Sequence, residues 1–233
     1  MNRKTMGCAL CALVAAAAAG PQSSLVELLA RMDEASNSFK AMRATVVYVE
    51  HTAVIDDNSE ESGTVLMLKV APNEVQGRID FDSPADNKRI WTFAGRKAQE
   101  YIPKSKTLHV YDMGDKGDQI DQFLMLGFGT SSALLNRDYT MRVTGEETVQ
   151  GQKTKTLEMT PKSAETRNLI TKLELWIPDS PAPPYPVREK IYEKTPGDYR
   201  IATYTGLQIN PKISADELKL KLPAGVKIIS PQK

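Results

Sequence analysis

From residue 75 to 82 the chain reads VQGRIDFD, and apolar and polar positions alternate with a period of two. Val75, Gly77, Ile79 and Phe81 fall on one side, and Gln76, Arg78, Asp80 and Asp82 on the other. Such alternation predicts a strand buried on one face. YTMRV (139–143) repeats it, and so does LITKLELWI (169–177), where Leu169, Leu173, Leu175 and Ile177 share a side. Further strands are predicted at 44–51, 63–70, 88–94, 97–103, 107–112, 152–160, 187–194, 199–206 and 217–222. Turn signals separate them: DDNSEES, APN, SPADN, AGRK, PKSK, VQGQ, PDSPAPPYP and TPGD. About a dozen short strands on short loops predict a mainly β chain with an antiparallel meander. A Greek-key sandwich fits this pattern. So does one sheet that curls over its apolar face, with helical segments in the concavity.

Two stretches leave the period of two. SSLVELLARMDEASNSF (23–39) places Leu25, Leu28, Leu29, Met32 and Phe39 on one helical stripe, and Ser24 with Glu27 reads as a capping box at its start. The second is 113–138, which contains FLMLGFG (123–129), seven residues without a charge. DQIDQFLML is long enough for two helical turns, Gly127 and Gly129 would stop it, and SSALLN would resume it. A short, interrupted helical insert is therefore expected in the middle of the β pattern.

The chain has 233 residues, a quarter of them charged, and a net charge of +1. It can bury a sizeable core without a disulfide or metal, and no basic field points to nucleic acid. Its first residues, MNRKT, carry Arg3 and Lys4, and MGCALCALVAAAAAG follows. A basic start, an apolar run of this length and an A-x-A site are the marks of an export signal. Residues 1–19 are expected to be cleaved, after Ala18 or Ala19, leaving 20–233 as a single domain in the periplasm. A retained membrane anchor is the alternative. Both cysteines, Cys8 and Cys11, lie in the signal, so the mature chain is expected to lack thiols.

Motifs for catalysis are thin. His51 and His109 each stand alone on a predicted strand, and neither HExxH, CxxC nor a Gly-rich phosphate loop occurs. GFGTS lacks the serine placement of a nucleophile elbow. DDNSEES is faintly like a calcium loop, but Glu61 stands where the loop needs glycine, and a solvated hairpin loop is the better reading. No cofactor, metal site or catalytic residue is assigned. What remains is apolar: Leu66, Leu68, Ile79, Phe81, Trp91, Phe93, Met141, Val143, Leu157, Met159, Leu173 and Leu175 on strands, with Phe123, Leu124, Leu126, Phe128, Leu134 and Leu135 on the insert. These residues form a dry core or line an apolar cavity. Methionines among them suit a surface that repacks around varied apolar guests.

The order of these pieces resembles the periplasmic lipoprotein carrier family, LolA, and its relatives. SFKAMRATVVYVEH (38–51) resembles the family's opening strand, aromatic-x-x-x-x-A-x-F, with Val46 in the last place. GTVLMLKVAPNEVQGRIDF (63–81), NKRIWTFAGRKAQEYIPKSKTLHVYDM (87–113), FLMLGFGTSSALL (123–135) and LKLKLPAGVKIIS (218–230) resemble its next strands, its apolar lid and its closing tail. The resemblance implies a strongly curved antiparallel half-barrel of about 11 strands, with an N-terminal helix and a short helical lid over an apolar cavity. It implies a monomer that binds acyl chains of lipoproteins or lipids, takes them from an inner-membrane ATP-driven release complex and delivers them to an outer-membrane receptor. Under this reading FLMLGFG belongs to the lid. The pattern departs at Ala71, where the family carries a lid-fastening arginine; Arg78, Arg89 and Arg96 are the candidates to replace it. Two other readings stand beside carriage: an envelope-stress sensor or interaction module on the same fold, and a secreted hydrolase on a β scaffold.

Overall fold

A computed structural model describes residues 21–72, 74–112, 114 and 126–230. The expected signal segment, and Phe123 and Leu124 of the insert, lie outside the described residues. One helix, α1 (Pro21–Ser38), precedes twelve strands: β1 (Ala41–Thr52), β2 (Asp57–Ala71), β3 (Glu74–Ser83), β4 (Arg89–Ala94), β5 (Lys97–Ile102), β6 (Thr107–Asp112), β7 (Tyr139–Val149), β8 (Gln152–Pro161), β9 (Ile170–Pro178), β10 (Arg188–Glu193), β11 (Tyr199–Ile209) and β12 (Lys227–Ile229). All belong to one sheet, in the order β12-β6-β5-β4-β3-β2-β1-β11-β10-β9-β8-β7. It is a curved meander that does not close into a barrel. Neighbours are antiparallel except β12, which runs parallel to β6. The half-barrel expectation is met, and the sandwich is not formed.

Three local expectations differ. Helix α1 already runs from Pro21, so Ser24 and Glu27 lie inside it and do not cap its start. LKLKL (218–222) is not a strand. Ser214 and Glu217 form a capping box that winds Ala215–Leu218 into one helical turn, and the last strand falls at Lys227–Ile229. DDNSEES is not a loop either: the turn is Ala53–Asp56, with Asp56 at φ 48°, and residues 57–62 are the first half of β2.

The concave face divides into two halves. Over β7, β8 and β9 it is filled by α1, whose Leu28, Leu29 and Met32 pack with Leu126, Leu135, Leu157, Met159, Leu173, Leu175 and Ile177. Arg31 donates to the carbonyls of Pro178 and Ala182 at 3.0 and 2.8 Å, and the Tyr185 hydroxyl donates to the Ala35 carbonyl at 3.0 Å. These bonds fix the helix across the sheet. The short helix Ser132–Asp138 joins the same half, with Asp33 of α1 accepting from the Ser132 backbone N–H at 2.6 Å. The other half, over β1 to β4, β10 and β11, carries no helix among the described residues.

Over β1 to β3 the convex face is covered as well. Arg78 donates to the carbonyls of Glu217 and Lys219, and Arg43 pairs with Glu217 at 2.7 Å. These bonds hold the C-terminal segment, with Leu218 buried, across the outside of the sheet.

Candidate functional site: an apolar cavity in the concave face

The half over β1 to β4, β10 and β11 holds a cavity of about 540 Å³. Its walls follow from strand parity. On β1, Met42, Val46, Tyr48 and Glu50 point inward; on β2, Val65 and Met67; on β3, Ile79 and Phe81; on β4, Arg89, Trp91 and Phe93. Glu189 and Ile191 from β10, and Arg200, Ala202 and Tyr204 from β11, complete the strand lining, and Leu126 of the insert closes one side. Trp91 stacks with Phe93 at 6.0 Å and with Tyr111 at 5.8 Å, which extends an aromatic floor toward β6.

The described residues among those singled out in the sequence distribute over four environments. Ile79, Phe81, Trp91, Phe93 and Leu126 line the cavity. Met141, Val143, Leu135, Leu173 and Leu175 belong to the core beneath α1, and Leu134 is half-buried on the short helix beside Leu135. Leu66 and Leu68 have the opposite parity to Val65 and Met67, and face the convex side near the C-terminal segment. Phe128 is 1 % exposed and sits behind the cavity wall. It stacks on Tyr185 at 6.1 Å and meets the edge of Tyr204 at 5.6 Å. Sequence reasoning missed the whole of β1 and β11 as lining. Their only signal was alternation in RATVVYVE and RIATYTGL, where threonine and tyrosine blur the apolar face.

Polar groups gather at one side of the cavity. Arg89 is held by Glu61, itself buried, and by Glu100 at 3.5 Å, and lies over the Phe81 ring at 5.1 Å. Arg200 pairs with Glu193 at 2.7 Å and with Glu50 at 3.6 Å. Of the three arginines considered as replacements for a lid fastener, Arg89 lines the cavity but bonds the sheet itself, Arg78 holds the convex side, and Arg96 lies in the β4–β5 turn at φ 64°. Also on the lining, Glu189 accepts a hydrogen bond from the Tyr204 hydroxyl at 3.3 Å. Burial pushes its carboxyl up to about 8, the hydroxyl offsetting only part of the effect. Tyr204 is pushed well above its usual value, first by burial and then by Glu189 beside it.

Among the described residues the lining contains no serine, threonine, cysteine, lysine or histidine. A wall of aliphatic, aromatic and thioether groups attracts apolar guests.

No family model matches the sequence, and no curated protein matches it with significance. Solved structures do match in fold. A conserved protein from Thermus thermophilus superposes with a TM-score of 0.54 at 15% identity, covering 89% of this chain and 99% of that one. MucB superposes at 0.51 with 16% identity over 85% of this chain, which spans 63% of MucB. LprF from Mycobacterium bovis superposes at 0.50 with 12% identity over 88% of this chain and 100% of LprF. At these identities the likeness is one of fold alone.

Proposed function

We propose that the protein is an acyl-chain carrier of the cell envelope. In this reading residues 1–19 direct export and are removed, and residues 20–233 form one lipid-binding domain in the periplasm. The observation that carries it is the 540 Å³ apolar cavity in a sheet whose other half is filled. At roughly 30 Å³ per water-sized unit, and a methylene of similar bulk, the cavity has room for about 18 units, or one long acyl chain. Burial of each methylene stabilises the complex by about 0.8 kcal/mol, so such a chain would leave water readily for this site.

The cargo in this proposal is a lipid or the acyl chain of a lipoprotein. By resemblance, the release complex lies in the inner membrane and the receptor at the outer one. No catalytic step is assigned. The sensor reading is favoured by one observation: Val54 and Ile55, at the tip of the β1–β2 hairpin, are 86% and 69% exposed, an apolar point suited to a protein partner.

Native mass spectrometry of the protein, purified without detergent after export, tests the proposal. A bound mass equal to a lipid or acylated peptide supports carriage. A protein without ligand that also fails to take up an acylated lipopeptide in titration rejects it, and leaves the sensor reading.

A further inference from the structure

Glu189 is a half-buried carboxyl group in the cavity wall. On β10 it lies in register with Leu175 of β9 and Ala202 of β11, and its side chain shares the inward face with Ile191. One carboxyl oxygen accepts from Tyr204, and among the described residues the other has no protein partner. Among the described residues, the titratable and charged groups that share the cavity with it are Tyr204 and Arg200 on β11, Tyr48 and Glu50 on β1, and Arg89 on β4; Leu126 of the insert also lines it. Neither arginine bonds Glu189, since each is engaged by two other carboxylates.

We propose that Glu189 is a specificity-determining residue that selects an uncharged acyl ester: its carboxylic acid donates a hydrogen bond to the ester carbonyl while the chain lies along the apolar wall. The inference rests on the acyl-binding reading and names the chemistry of the ligand's polar end. A neutral carboxyl carries one O–H donor, and an ester carbonyl carries no competing charge. The raised affinity of Glu189 for its proton keeps it in this form at neutral pH. A free fatty acid is disfavoured twice. Its carboxylate would be buried in a wall whose cations among the described residues, Arg89 and Arg200, are already paired with carboxylates. It would also face a rim in which Glu50, Glu61, Glu100 and Glu193 outnumber Arg89 and Arg200.

The test is titration of the mature protein with 1-monopalmitoylglycerol and with palmitate, from pH 6 to pH 9.5, repeated with Glu189→Gln. The ester is expected to bind at least tenfold more tightly than palmitate at pH 7. Its affinity should fall by about tenfold for each pH unit above about 8, as the donor ionises. Glu189→Gln, which keeps an N–H donor without the titration, should bind the ester with no such fall. Equal affinity for ester and acid, or the same pH profile in both proteins, overturns the assignment while leaving acyl binding in place. Failure of both ligands to bind overturns acyl binding itself.

Discussion

Replacing Ala202 by tryptophan separates a cavity from a core. Ala202 lies on β11 between Tyr48 of β1 and Glu189 of β10, and its methyl group faces the cavity. A tryptophan there projects nine further ring atoms into the space. Fused ring atoms occupy about 20 Å³ each, so against roughly 30 Å³ per methylene-sized unit they remove about a third of the room, or about six methylenes of an acyl guest. At about 0.8 kcal/mol each, the lost burial is about 5 kcal/mol, more than a thousandfold in affinity. A displaced chain end still finds some apolar cover, so the expected loss is about a hundredfold or more. Stability should move the other way. Overpacking a filled core costs about 1–3 kcal/mol, whereas a side chain entering an existing cavity gains contacts, so Tm should hold or rise. The assay pairs thermal unfolding with displacement of a fluorescent acyl probe. A variant that melts at the parent temperature and binds the probe as tightly as the parent refutes the cavity as the acyl site. A variant that melts well below the parent shows that the space around Ala202 is packed core.

Other perturbations read other parts of the structure. Gly127 has φ +77°, and an added Cβ would lie 2.5 Å from the Pro186 ring. Gly127→Ala should therefore cost about 1–2 kcal/mol of backbone strain plus displacement of the insert, lowering Tm by several degrees. Arg89→Met leaves Glu61 buried without its cation and should destabilise by about 3 kcal/mol. Adding Glu61→Gln should restore most of the loss in a double-mutant cycle by urea unfolding, and additive losses would contradict the pairing. Glu189 binds its proton more tightly folded, near pH 8, than unfolded, near 4.5. The folded state therefore holds a proton that the unfolded state releases between these values, and stability should fall as pH rises through this window. Glu189→Gln should abolish that slope and gain a few kcal/mol at pH 8; an unchanged slope in the variant would contradict the burial of Glu189.

The fold was largely legible because strands covered on one face must alternate. VQGRIDF and KLELWI gave both the elements and their inward sides, and the helical stripe of α1 was plain. The alternation fails where both faces are covered. In GTVLMLKV, Val65, Leu66, Met67 and Leu68 are all apolar, because one pair faces the cavity and the other the C-terminal segment. Period alone cannot assign such a run. LKLKL alternates like a strand, yet the capping box at Ser214 and Glu217 decided its start locally. The polar side of the cavity was illegible for a different reason. Glu189 sits in REKIYE among three other charges, and only the curvature that brings β1 and β11 around it turns it into the cavity wall, half-buried. A sequence shows that a residue can ionise, but its solvation is set by residues far along the chain.

The central claim, that an acyl chain lies against β1 and β2 in the concave face, is tested most directly by methyl NMR of the methionines. Met42 and Met67 line the cavity, whereas Met32 and Met159 are packed in the half beneath α1. On titration with a monoacylated lipopeptide, the account predicts large shifts and ligand contacts at Met42 and Met67, with Met32 and Met159 nearly unmoved. Binding that perturbs Met32 and Met159 while leaving Met42 and Met67 in place would contradict it.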